Sequence, residues 1–311
     1  MRLLALAAAV LAVASCDCGA CDAGPPAELR VAGVHPYVRC LAADPPEARD
    51  FRVGDLRLAI EGRRLTVGGV PSPLRVAAFS GPAPAQRIPA RTLAGLRERG
   101  VSLVIVLGGL GDDAATARRT LGALADAGLP VLVLAGGRDD AGDLDAAFDA
   151  LDEEQEDVVL DARALRVVDL GADELVLVSG APAGRYARSN TACGFAERDL
   201  DDVAADIGDR GRARRWLVSW AAPAGGVAAG LEGADAGDPG LAALAERLGV
   251  RGGIHAWPDT RAAELAGDPP ASIVVLPIAG PAVERADGSR LMPAATVLDL
   301  GGGGLSLPLA P

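Results

Sequence analysis

From Leu74 onward the chain alternates short apolar runs with longer amphipathic stretches, and this alternation constrains the fold more than any other feature. Leu103 to Leu107 is apolar throughout and closed by Gly108-Gly109; Val131 to Leu134 is the same and closed by Gly136-Gly137 after one alanine. Runs of that length suit strands buried on both faces, because neither face carries the polar residues that water would require. Asp112 and Asp113 open a helical stretch through Ala127, with Leu121, Leu124 and Ala125 on one face and Gly128 as its stop. Arg75 to Phe79 reads as a preceding strand and Ala90 to Arg99 as a helix. Further strands are expected at Leu165 to Leu170, Leu175 to Ser179, Trp216 to Ser219, Gly252 to Ala256, Ser272 to Leu276 and Thr296 to Leu300. Helices are expected around Glu197 to Ala205 and Leu241 to Leu248. Strands alternating with helices imply one α/β domain over 74–311, its sheet covered on both faces. Residues 29–73 hold short apolar stretches broken by Pro and Gly and read as a short irregular or β extension.

The charge pattern removes several functions. All 30 basic residues are Arg, which excludes a Schiff-base lysine and a P-loop lysine. A net charge of −12 and 3% aromatic residues leave neither the basic surface nor the stacking platforms that nucleic acid needs. No Gly-x-Ser-x-Gly elbow supports a serine hydrolase. Gly109, Gly111 and Ala114 make at best a weak variant of the dinucleotide fingerprint, and Asp112 and Asp113 within it would repel phosphate.

The N-terminus sets the expected location. Arg2 precedes an apolar run from Leu3 to Val13, the length of a signal-peptide core and too short to span a bilayer. Val13-Ala14-Ser15-Cys16 resembles the lipobox of bacterial lipoproteins. That resemblance implies cleavage after residue 15, acylation of Cys16, a tether over 16–28 and a membrane partner at the cell envelope, facing the periplasm or the cell surface. A plain secretory signal is the alternative. Of the remaining cysteines, Cys18 and Cys21 have a Cys-x-x-Cys spacing but no second pair nearby, so a local disulfide or free thiols fit better than zinc. Four cysteines allow three connectivities; we expect Cys40 to pair with Cys193.

In an open α/β sheet, chemistry gathers past the carboxyl ends of the strands. The loops there are Ser80-Gly81-Pro82-Ala83, Gly108-Gly109-Leu110-Gly111-Asp112, Gly136-Gly137-Arg138-Asp139, Ser219-Trp220 and His255-Ala256-Trp257. Their order and spacing resemble the calcineurin-like metallophosphoesterases. The resemblance implies a two-sheet sandwich flanked by helices, with two divalent ions (Mn, Fe or Zn) that activate water against a phosphate ester. Most of the implied ligands are replaced: Gly81 and Ala83 stand for the first Asp and His, and Gly109 for the bridging acid. Gly137 and Arg138 stand for the Asn-His pair, Trp220 for a lone His, and Trp257 for the last His. Asp112, Asp139 and His255 match ligand positions and are the remnants of a metal site. Only one other His, His35, occurs in the chain.

Each remnant has a plainer role. Asp112 and Asp139 are expected to cap the following helices rather than bind a cation. His255 is expected to be a hydrogen-bonded structural residue, Arg138 to pair with Asp139 or Asp140, and the Asp149 to Asp157 run to be a solvated helix face or loop. The expectation is thus a binding or scaffold protein, with no cofactor and with an envelope protein or small ligand as partner. The competing expectation is a phosphoesterase with a reduced site of Asp112, Asp139 and His255.

Overall fold

A computed structural model describes residues 37–82, 86–183, 190–208, 214–225, 237–256, 265–266, 271–284 and 290–300. The expected signal peptide and tether, with Cys16, Cys18, Cys21 and His35, lie outside the described residues, as do Ala83 and Trp257. In chain order the first half runs β1 (Arg49–Val53), β2 (Leu56–Glu61), β3 (Arg64–Gly68), β4 (Leu74–Phe79), α1 (Ala90–Glu98), β5 (Leu103–Leu107), α2 (Ala114–Ala125), β6 (Val131–Leu134), α3 (Ala141–Phe148), α4 (Glu153–Val158) and β7 (Val159–Asp161). Then come β8 (Val167–Asp169), β9 (Asp173–Val178), β10 (Ala181–Pro182), β11 (Gly194–Phe195), α5 (Glu197–Ile207), β12 (Arg214–Ser219), α6 (Pro239–Arg247), β13 (Gly252–Ala256), β14 (Leu265–Ala266), β15 (Ala271–Val275), β16 (Val283–Glu284), β17 (Arg290–Leu291) and β18 (Thr296–Leu300).

Two sheets carry the architecture. One has five strands in the order β18-β4-β5-β6-β7, the other nine in the order β1-β2-β3-β8-β9-β12-β13-β15-β14. The apolar strands divide their side chains by the two-residue period of an extended chain. Ile105, Leu107, Leu132 and Leu134 join one buried cluster with Val168, Leu175, Leu177 and Val218 of the facing sheet. Val104, Val106, Val131 and Val133 join a second cluster with Leu93 and Leu96 of α1, Leu121 and Leu124 of α2 and Leu144 of α3. On the far side, Leu200, Val203 and Ile207 of α5 and Leu241 and Leu244 of α6 cover the nine-stranded sheet. The fold is therefore an α/β two-sheet sandwich with helices on both outer faces. Strands that face a sheet on one side and helices on the other have no wet face, which is why they are apolar throughout.

The segment before Leu74 supplies three strands of the larger sheet. β1, β2 and β3 form an antiparallel meander, and β3 then pairs in parallel with β8. Their alternation of buried and exposed residues reflects one covered and one wet face. Cys40 and Cys193 form a disulfide across 153 residues. Backbone bonds from Val38 N–H to the Ala192 carbonyl and from Gly194 N–H to the Val38 carbonyl, each 2.9 Å, run beside it.

Candidate functional site

The carboxyl ends of the parallel strands of both sheets meet along one rim. The Ala135 N–H donates to Ser179 Oγ at 2.8 Å, and the Gly180 N–H to the Ala135 carbonyl at 2.8 Å, joining the ends of β6 and β9. The Ser80 N–H reaches the Leu276 carbonyl at 3.0 Å, joining the ends of β4 and β15. Four of the loops singled out in the sequence, the first described as far as Pro82, therefore lie along this rim, and His255 and Ala256 of the fifth end β13.

Asp139 ties together two of the loops. It is 1% exposed. Its Oδ2 accepts the N–H groups of Gly136 at 2.7 Å and Gly109 at 2.8 Å, and its Oδ1 accepts that of Leu110 at 2.9 Å. Burial pushes the carboxyl above its usual range, and the three N–H groups oppose that shift by favouring the ionised form. The helix-capping role expected of Asp112 and Asp139 falls one residue later in each loop. Asp113 accepts from Thr116 N–H at the start of α2, and Asp140 accepts from Gly142 and Asp143 N–H at the start of α3. The N–H groups hold both carboxyls below the usual range, with the Thr191 hydroxyl the larger influence at Asp140. Asp112 is exposed.

Backbone and indole fill the ground between these loops. Gly81 N–H donates to the Gly108 carbonyl at 2.7 Å, and a Cβ on Gly81 would stand 2.0 Å from the Gly109 carbonyl oxygen. Gly108 and Gly109 have φ of +68° and +76°, a turn that a side-chain-bearing residue adopts only with strain. A Cβ on Gly136 would meet the Trp220 indole at 2.5 Å, and Trp220 itself is buried. Of the positions where the resemblance implies an acid or histidine, Gly81 is packed too closely to carry a side chain, Gly109 holds a positive φ that disfavours one, and Trp220 sets its indole against Gly136.

His255 lies elsewhere in the same sheet structure. Ser219 and His255 are paired in register on β12 and β13. Arg215, four residues before Ser219 and on the same side of β12, reaches the Leu248 carbonyl just past α6 at 3.2 Å. The imidazole therefore sits on the helix-covered side, fully buried and folded over Gly253, where a Cβ would be 2.2 Å from Nε2. The Ser219 hydroxyl donates to the Ala221 carbonyl at 2.7 Å, so at 3.0 Å it accepts from His255 Nδ1–H. Nε2 is then a bare acceptor with no hydrogen-bond partner. Burial drives the ring's pKa down to about 3, so it is neutral.

Among the described residues no three His, Cys, Asp or Glu side chains stand close enough to hold a metal ion. The donor set does not fit a two-ion centre, because Asp139 spends both oxygens on N–H groups while Asp112 and His255 sit in separate environments. Two contributors went unread in the sequence. Ser179 ties the sheets together, and its only signal is a polar residue ending an apolar run. The 191–195 segment sits on the rim through Cys193 N–H to the Asp139 carbonyl at 3.2 Å, and no local pattern announces it.

No protein-family model matches the chain, and no curated protein matches it. Solved structures do. One crystal structure superposes with a TM-score of 0.53 at 14% identity, over 76% of this chain and 98% of that one. The Thermus thermophilus protein TT1561 follows at a TM-score of 0.48 and 15% identity, over 66% of this chain and 88% of its own. A dimetal phosphatase from Danio rerio follows at 0.47 and 12%, over 74% and 93%. The likeness is one of fold, and it rests on the first.

Proposed function

We propose that this chain is a lipid-anchored envelope protein with a metallophosphoesterase-like fold that binds or scaffolds rather than catalyses. The observation that carries the reading is the rim itself. The Asp139 carboxylate is enclosed by the Gly109, Leu110 and Gly136 N–H groups, and the adjoining ground is occupied by Gly81, Gly108 and Trp220. A divalent ion needs unclaimed oxygen or nitrogen donors converging on one point. Here the oxygens point at backbone donors, and the one histidine on the rim strands is buried beneath helices. The anchor rests on Val13-Ala14-Ser15-Cys16, and the envelope location on the anchor.

The test is metal content after incubation of the full chain with Mn²⁺, Zn²⁺ and Fe²⁺, with hydrolysis of chromogenic phosphate mono- and diesters measured beside it. The expected result is less than stoichiometric metal and no turnover above buffer. Stoichiometric metal with turnover that His255→Ala abolishes would establish instead a phosphoesterase built on Asp112, Asp139 and His255.

A further inference from the structure

Away from the rim, the outer surface of α2 carries a two-part groove. One part, about 590 Å³, lies between α2 and residues 86–88 and is lined by Arg87, Ile88, Arg119 and Thr120 among others. The other, about 570 Å³, lies between α2 and the α3–α4 region and is walled by Ala114, Ala115, Ala146, Ala150 and Leu151. Arg119 and Gly122 line both parts. Each volume falls within the range of small-molecule sites.

The two parts differ in chemistry. Arg87 and Arg119 face the first part and Arg118 the second, and none of the three makes an ion pair among the described residues. Asp126 is the one acid that faces the first part. The Arg119 guanidinium is held by a 2.8 Å bond to Thr116 Oγ1, which orients its remaining donors. A guanidinium with free donors is suited to a planar oxyanion. The second part is mainly aliphatic, with Arg118 and Gln155 as its other polar lining, and Arg119 stands at the junction.

Gly122 supplies an independent argument. It occupies the interior of α2, where glycine costs helix stability relative to alanine. A Cβ there would meet nothing within 4 Å, so no packing constraint demands glycine. What a larger residue would do is close the junction of the two parts.

We propose that this groove binds a small anionic amphiphile, its phosphate or carboxylate head on Arg87 and Arg119 and its aliphatic part over the alanines of α2 and α3. The site is independent of the proposed loss of catalysis at the rim.

The test is calorimetric titration of the full chain with hexylphosphonate, whose carbon–phosphorus bond a phosphoesterase does not cleave, so activity at the rim neither mimics nor masks the result. Methylphosphonate carries the same head without the tail. Saturable one-to-one binding of hexylphosphonate is expected, with methylphosphonate weaker by about tenfold or more, since five methylenes leave water. Arg119→Gln and Gly122→Leu should each weaken hexylphosphonate by about tenfold or more. Gly122→Leu places a better helix former in open space, so it should fold at least as well as the parent. Arg57→Gln, the same change of charge on the exposed β2 surface and outside the groove lining, should leave affinity within about twofold, as interactions between exposed charges are screened by salt. Absence of saturable binding, unaltered affinity in Gly122→Leu, or equal weakening by Arg57→Gln would each overturn the proposal. So would methylphosphonate binding as tightly as hexylphosphonate.

Discussion

At the scale of single residues, the rim is governed by a few side chains whose partners are backbone groups. Asp139 shows how one carboxyl group can hold two loops: its two oxygens satisfy three N–H groups that the turns at Gly108-Gly109 and Gly136 would otherwise leave buried without acceptors. His255 shows the cost of burying a titratable ring. The folded protein holds it neutral with a pKa of about 3, whereas in the unfolded chain it titrates near its ordinary value of about 6.5. Between those values only the unfolded chain takes up the proton, so stability is fully present above about pH 6.5 and falls as pH drops toward about 3. At most roughly 4 kcal/mol is lost across that window. His255→Phe should abolish this part of the acid dependence. The check is the difference between parent and variant in urea-unfolding free energy at pH 7 and pH 4; an equal decline in both would refute the assignment. The residue itself was legible in the sequence as a structural histidine. That its ring folds over Gly253 under α5 and α6 was not, because the pleat direction of β13 is set by its pairing with β12.

At the scale of elements, the carboxylates at helix starts and the disulfide do separate work. Asp113 and Asp140 cap α2 and α3, and the adjacent Asp of each pair is left for another role or for water. The Asp-Asp pairs are legible in the sequence, but which member caps is not, since a cap depends on a backbone angle that an Asp-Asp dipeptide does not reveal. The Cys40–Cys193 bond, expected from the cysteine inventory, pins the segment ahead of β1 to the strip that sits on Asp139. A loop of 153 residues closed by a cross-link restricts the unfolded chain, worth about 5 kcal/mol in the chain-entropy account. Replacing both cysteines with serine should lower the unfolding free energy by about 2–5 kcal/mol. Parent and double variant should then unfold alike under reducing conditions, and a gap that persisted there would assign the loss to packing instead. The segment that forms the β1–β3 meander was legible only as a short irregular or β extension. Its membership of the nine-stranded sheet depends on the pairing of β3 with β8, a contact between segments about 100 residues apart that no local pattern encodes.

At the scale of the whole molecule, a chain of net charge −12 starts with a segment read as an export signal. If Cys16 is the acylated residue, metabolic labelling with a palmitate analogue should tag the parent, and Cys16→Ser should abolish both the label and partition into detergent. Labelling that survives Cys16→Ser would remove the anchor from the proposal and leave a plain secretory signal. The sequence alone determined the class of fold, because wholly apolar strands spaced by amphipathic helices can be satisfied only by sheets covered on both faces. It also places glycine or tryptophan at several positions where the resemblance implies a ligand, and neither carries a donor suited to a hard cation. The tertiary structure alone decided what stands in their place. Whether a glycine is a gap or a contact depends on what lies across from it. Here the Gly109 carbonyl, the Trp220 indole and the Asp139 carboxylate come from loops far apart in the chain, brought together only when the two sheets close on a common core.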